Sequence, residues 1–147
     1  MESKELKLVS EEEQGLITRK LLSAIGLLAA EIPIRLNYEY LESNGPSMAL
    51  SIIQGAYKTS EYIDGGYLAQ IQFKVIYRAQ PKTNDGRLDM DETLNQLGAK
   101  LTTSELDLGS GILFGKIQFD SRSSLFGRYE NGDEDHQILM TMTYEVI

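Results

Sequence analysis

His136 is the only histidine of a chain that contains no cysteine. Any Ser/His/Asp relay would have to run through it, and no serine stands in a Gly-x-Ser-x-Gly elbow. Zinc would find one imidazole and otherwise only carboxylates. His136 follows Asp133, Glu134 and Asp135 directly, and it reads as the solvated end of a loop where a strand begins. The carboxylates gather in two places. Asp85, Asp89, Asp91 and Glu92 lack the spacing of a calcium-binding loop; Asp89, Asp91 and Glu92 instead suit the positive end of a helix starting at Asp89. The run ENGDED, Glu130 to Asp135, could attract a cation, but a charge run is more simply a solvated face. Gly109-Ser110-Gly111 and Asp64-Gly65-Gly66 are turns, because neither matches a phosphate loop nor a dinucleotide fingerprint. No carboxylate pair singles itself out for glycoside chemistry. The residues therefore define no catalytic constellation, and no enzyme activity, cofactor or metal is expected.

The elements that carry these residues can be read from periodicity. From Tyr67 to Ala79, every second residue is apolar or aromatic: Tyr67, Ala69, Ile71, Phe73, Val75, Tyr77 and Ala79. Such alternation predicts a long strand with one buried face and one face toward water or a partner. Ser10 and Glu13 form a capping box. Beyond it, Leu16, Ile17, Leu21, Ile25 and Leu28 recur at helical spacing until Pro33 ends the helix. Further strands are expected over Ile34–Leu41, Ser47–Gln54, Ile112–Phe119 and Ile138–Val146, with a second helix from Asp89 whose buried face is Met90, Leu94, Leu97 and Leu101. Gly55 to Gly66 reads as a long connection and Asp120 to Gln137 as a polar loop. The expected fold is α+β: one domain over residues 10–147, a mostly antiparallel sheet of about five strands, and two packed helices in the order α-β-β-β-α-β-β. Residues 1–9 are expected to be a flexible arm. Of the eight tyrosines, Tyr38, Tyr67, Tyr77 and Tyr144 favour the core, while Tyr57 and Tyr62 fall in the connection.

A length of 147 residues fits one domain. With 41% apolar and 24% charged residues, the balance is that of a soluble globular protein that needs no disulfide to hold its core. No apolar run approaches the ~20 residues of a membrane span. Leu21–Ala30 is too short and is preceded by Glu11, Glu12 and Glu13, where a secretory signal would be basic. A cytoplasmically made product without a membrane partner is expected. The net charge of −8 argues against a protein that coats DNA, although an acidic lining would let a duplex slide past.

One ordered pattern goes further. Gly45, Pro46, Ser47, Met48 and Ala49 precede one strand, and Tyr62, Asp64 and Gly65 precede the next. Phe73, Tyr77 and Arg78 lie within that strand, with Leu94 and Leu97 in the following helix. This order resembles minor capsid or tail-completion proteins of long-tailed bacteriophages and prophages, in particular the tail-terminator group. The match covers about the middle half of the chain. The resemblance implies a structural virion protein, assembled in the host cytoplasm into a homo-oligomeric ring, typically a hexamer. Its partners would be the tail tube protein and the head connector, with DNA passing through without sequence-specific binding. Tyr57, Tyr62, Asp64 and Gly65 are the candidates for subunit contact, and Glu130, Asp133, Glu134 and Asp135 for the lumen. A head-side stopper, a tube subunit, or a small-ligand-binding α+β domain are the alternatives.

Overall fold

The computed structural model describes residues 7–147. Its elements are β1 (Lys7–Leu8), α1 (Glu11–Ala30), β2 (Leu36–Tyr38), β3 (Ser47–Glu61), β4 (Tyr67–Ala79), α2 (Asn84–Thr102), β5 (Ile112–Arg128) and β6 (Glu134–Val146). They form one α+β domain whose six-stranded sheet runs β1-β3-β4-β6-β5, with β2 also paired to β3. All pairings are antiparallel except β2 with β3. The expected element order is met, with β1 as the addition. Most of the expected arm lies outside the described residues, but Lys7 and Leu8 pair with Lys58 and Tyr57.

The strand read from alternation has the expected bounds. Ala69, Ile71, Phe73 and Val75 of β4 are buried. They lie opposite Tyr144, Met142, Met140 and Ile138 of β6, so two alternating patterns meet on one face. Both helices cover that face. α1 brings Ile17, Leu21, Ile25 and Ala29; α2 brings Met90, Leu94, Leu97 and Leu101. Leu16 falls outside the α1 stripe and is exposed. The Ser10 hydroxyl caps α1 by accepting from the Glu13 N–H. The reciprocal half of the capping box is absent because the Glu13 carboxylate reaches the sheet. There it accepts from the hydroxyls of Tyr67 and Tyr144, the latter at 2.7 Å. Burial together with this carboxylate pushes the Tyr67 phenol up to about 12, so both tyrosines stay donors to Glu13 at neutral pH. The pair of bonds fixes the first turn of α1 over the end of β4 and β6.

Several boundaries differ from expectation, each for a local reason. α2 begins at Asn84 because Thr83 caps it, its hydroxyl accepting from the Gly86 N–H. That places Asp91 well inside the helix, away from the first turn. β2 covers only three residues, and Tyr38 and Tyr40 project outward. β3 continues through Gly55 to Glu61, so Tyr57 lies in a strand and only Tyr62–Gly66 turns the chain. β5 likewise continues through Ser121–Arg128, where a loop was expected. It is an edge strand with four register shifts against β6 and is exposed over much of its length, so no apolar alternation marks it.

Candidate assembly interface

The two ends of the β4–β6 pair carry the polar chemistry of the fold. At one end, β6 opens on Glu134, Asp135 and His136, which are 4%, 1% and 1% exposed, just after Asp133 at 2%. The strand alternates even here. Asp135 turns to the face without helices, where Arg78 of β4 donates to it from Nε at 2.7 Å and from a terminal nitrogen at 2.8 Å. Tyr129 adds a hydroxyl at 2.8 Å, and the Arg78 guanidinium lies 4.7 Å from the centre of the Tyr129 ring. Asp135 holds the Arg78 guanidinium well above its ordinary range and also raises the Tyr129 phenol.

Glu134 and His136 turn to the helix face. Arg87 of α2 donates to Glu134 at 2.8 and 3.0 Å, and the more exposed Arg128 approaches to 3.7 Å. His136 Nδ1 lies 2.7 Å from Asp91 and its Nε2 3.4 Å from Glu134. Asp91 also accepts from the Ser123 hydroxyl of β5 at 2.7 Å. The ring thus joins α2, β5 and β6. Asp133 sits at the hairpin between β5 and β6. It accepts from the Asn44 N–H at 3.0 Å, from Asn131 at 2.9 Å and from Gln80 at 3.2 Å. Burial pushes its carboxyl up, but these hydrogen bonds and the Arg78 charge outweigh it and the net displacement is downward.

This geometry corrects three readings. His136 is a buried link between carboxylates, so it is no solvated loop end. The ENGDED run is no solvated face: Asp133, Glu134 and Asp135 are buried and paired, and only Glu130 of the four lumen candidates is exposed. Asp91 serves His136 and Ser123 instead of the α2 N-terminus.

The network has a pH signature. Arg87 first, then His136, hold the Glu134 carboxyl below its ordinary 4.5 against the opposing effect of burial. A group whose folded-state value is depressed stabilises the fold above the unfolded value and loses that contribution as pH falls through the folded one. Melting temperature should therefore decline as pH drops below about 4.5. Glu134→Gln should be less stable at neutral pH and show a shallower acid limb, measurable by thermal melts followed by circular dichroism.

At the other end, Tyr62–Gly66 joins β3 to β4. The Tyr62 N–H donates to the Gly66 carbonyl at 2.7 Å, and the Gly65 N–H donates to Tyr62 at 3.2 Å. The Asp64 carboxylate accepts from the Gly66 N–H at 3.1 Å. Gly65 has φ +94°, a left-handed conformation that glycine takes without strain. The Tyr62 hydroxyl donates to Glu145 of β6 at 2.8 Å. Three of the four contact candidates, Tyr62, Asp64 and Gly65, thus build this turn. Tyr57 stands apart in β3, half-buried and hydrogen-bonded to Gln70. The residue that the turn displays, Ile63, is not among the contact candidates; it is fully exposed. A lone isoleucine inside a polar turn was the available signal.

The backbone has a known counterpart. A chain from a structure described as the virion of a native gene transfer agent (GTA) particle matches with a TM-score of 0.61. The match covers 92% of this chain and 99% of that one at 12% identity. At that identity the likeness is one of fold. A second solved structure, 17% identical over 91% of this chain and 95% of its own, has a TM-score of 0.47. No family model matches the chain, and no curated protein is similar to it in sequence.

Beside the two polar ends, the surface is open. The sheet face opposite the helices carries Gln70, Gln72 and Lys74 of β4, partly exposed, with Leu68 more so. Among the described residues no group of three or more His, Asp or Glu is placed to hold a metal ion, and no helix is long and apolar enough to cross a membrane. A cleft of about 250 Å³ borders the buried charges, with Lys82, Arg87 and Arg128 in its wall. Glu134 engages two of these three cations. The polar groups at this end are thus spent on one another and hold α2, β4, β5 and β6 in one arrangement. What remains on offer is surface: an uncovered sheet face, an edge strand and a stiff hairpin bearing an apolar tip.

Proposed function

We propose that this protein is a structural component of a phage-type virion. It acts at the head–tail junction of a long-tailed phage or prophage, where it caps the tail tube as a closed ring of about six copies and meets the head connector. The observation that supports a virion component is the fold likeness to a chain of a gene transfer agent virion, which runs nearly end to end in both chains. The ordered pattern from Gly45 to Leu97 supports the same class of protein. The physical features are compatible: a ring needs two different surfaces on each subunit, and the net charge of −8 suits a conduit that does not grip DNA. Of the acidic residues assigned to the lumen, Glu130 is the one still available to face a duplex.

The test is assembly. Deleting the gene from its phage or prophage should leave tail tubes of uncontrolled length and heads without tails. Adding the purified protein to such an extract should restore joined particles of uniform length in electron micrographs. Light scattering on the purified protein, alone or with tube protein, should register a closed species near six times the 16.5 kDa subunit. A deletion that leaves normal particles would remove the head–tail role. Open-ended polymerisation of the purified chain would identify a tube subunit instead.

A further inference from the structure

The β3–β4 hairpin is stiff and displays one side chain with nothing around it. Two backbone hydrogen bonds close the turn, Asp64 caps it from inside, and Tyr62 is tied to Glu145 of the neighbouring strand. The turn therefore loses little freedom on binding, the condition under which a small apolar contact is most effective. Ile63 stands at its tip, fully exposed. Beside it, Asp64 has no cationic partner among the described residues, whereas Glu61 is already paired with Lys7 and Lys58.

The same chain carries a recess suited to this tip. Gln14, Gly15, Thr18, Arg19, Leu22 and Tyr38 line an open groove of about 380 Å³ between α1 and β2. Most of the surface of its wall is apolar, and the Arg19 guanidinium lies close over Gly15, 3.1 Å from where a Cβ would stand. Arg19 at its rim is exposed and has no carboxylate partner among the described residues. Glu11 also borders the groove, so one carboxylate and one guanidinium balance there. A second open groove of about 400 Å³ lies between α1 and residues 104–107, but there Glu105 and Asp107 outnumber Lys20 and would repel Asp64. The cleft walled by Lys82, Arg87 and Arg128 is cationic too, but its wall is nearly as polar as it is apolar, so the α1–β2 groove is the better seat for an isoleucine flanked by a carboxylate.

We propose that Ile63 of one copy seats in the α1–β2 groove of a second copy, with Asp64 meeting Arg19. The two surfaces differ, so the contact is heterologous and can propagate around a ring. The inference rests on the oligomeric reading above and names the contact that makes it.

The absence of cysteine gives a direct test. The double variant Ile63→Cys/Thr18→Cys, oxidised and run on a non-reducing gel, should form a ladder of cross-linked copies that neither single variant forms. No ladder, or equal cross-linking in Ile63→Cys alone, would overturn the assignment. Separately, Ile63→Asp should weaken self-association about tenfold or more, the scale expected for burying one aliphatic side chain, while the melting temperature of the dilute monomer stays unchanged because Ile63 is fully exposed in its own subunit. Arg19→Glu should weaken it as well. Ile63→Asp rings that form normally but fail to attach to tube would move the hairpin to the tube contact and overturn the proposal, leaving the virion role intact. A wild-type chain that stays monomeric on assembled tails would count against the ring itself.

Discussion

Arg78→Ala is expected to destabilise this protein by about 3–5 kcal/mol, a large part of the roughly 5–15 kcal/mol that holds a domain together. The Asp135 side chain is 2% exposed and that of Arg78 16%. Removing the guanidinium leaves a carboxylate in a water-poor site with the Tyr129 hydroxyl as its remaining side-chain donor. It also removes the cation stacked on the Tyr129 ring. The contrast is Lys100 with Glu31, an ion pair of similar length whose side chains are 59% and 62% exposed. Lys100→Ala should cost about 1 kcal/mol or less. Urea titrations of both variants separate the cases. The decisive control is Arg78→Met/Asp135→Leu, which removes both charges together. If stranding one charge causes the loss, the double variant should recover most of it. A double variant no better than Arg78→Ala would show that the bonds themselves carry the stability.

The pair also shows why the sequence revealed one part of the molecule and concealed another. β4 was legible because its buried face repeats within a single stretch, and the α2 stripe was legible for the same reason. Neither depends on a distant residue. The state of Asp133, Glu134 and Asp135 depends on Asn44, Arg78 and Arg87, from other parts of the chain, and no local pattern records that Arg78 will lie opposite Asp135 in the sheet. A run of acids looks solvated until its counter-charges are placed. β5 was concealed differently. Over Ser121–Arg128 its residues are mostly exposed and its pairing is interrupted by bulges, so neither period 2 nor turn chemistry marks it. At the opposite hairpin, Tyr62, Asp64 and Gly65 were noticed because turn residues have recognisable types. The side chain they expose was overlooked because isoleucine normally signals a core.

The charged end of the sheet has a further requirement, which lies in the turn before β3. Gly45→Ala should destabilise the protein by about 1–3 kcal/mol, the range for forcing an extra methyl into a filled space. A Cβ at Gly45 would lie 2.3 Å from the Arg78 carbonyl oxygen and 2.9 Å from its carbon. These are backbone atoms of a central strand, fixed by pairing on both sides, so rotation of a side chain cannot relieve the clash. The turn must move instead. Asn44 would move with it, and its N–H donates to Asp133 at 3.0 Å. The expected result is therefore wider than lost packing: Gly45→Ala should weaken the seat of Asp133 and loosen the β5–β6 hairpin. Amide exchange in Gly45→Ala should speed up around Tyr129–Asp133 as well as around residue 45. Faster exchange confined to the turn would mean that Asp133 keeps its partners and that the two segments are not coupled. Only a residue without a side chain lets this turn rest against β4.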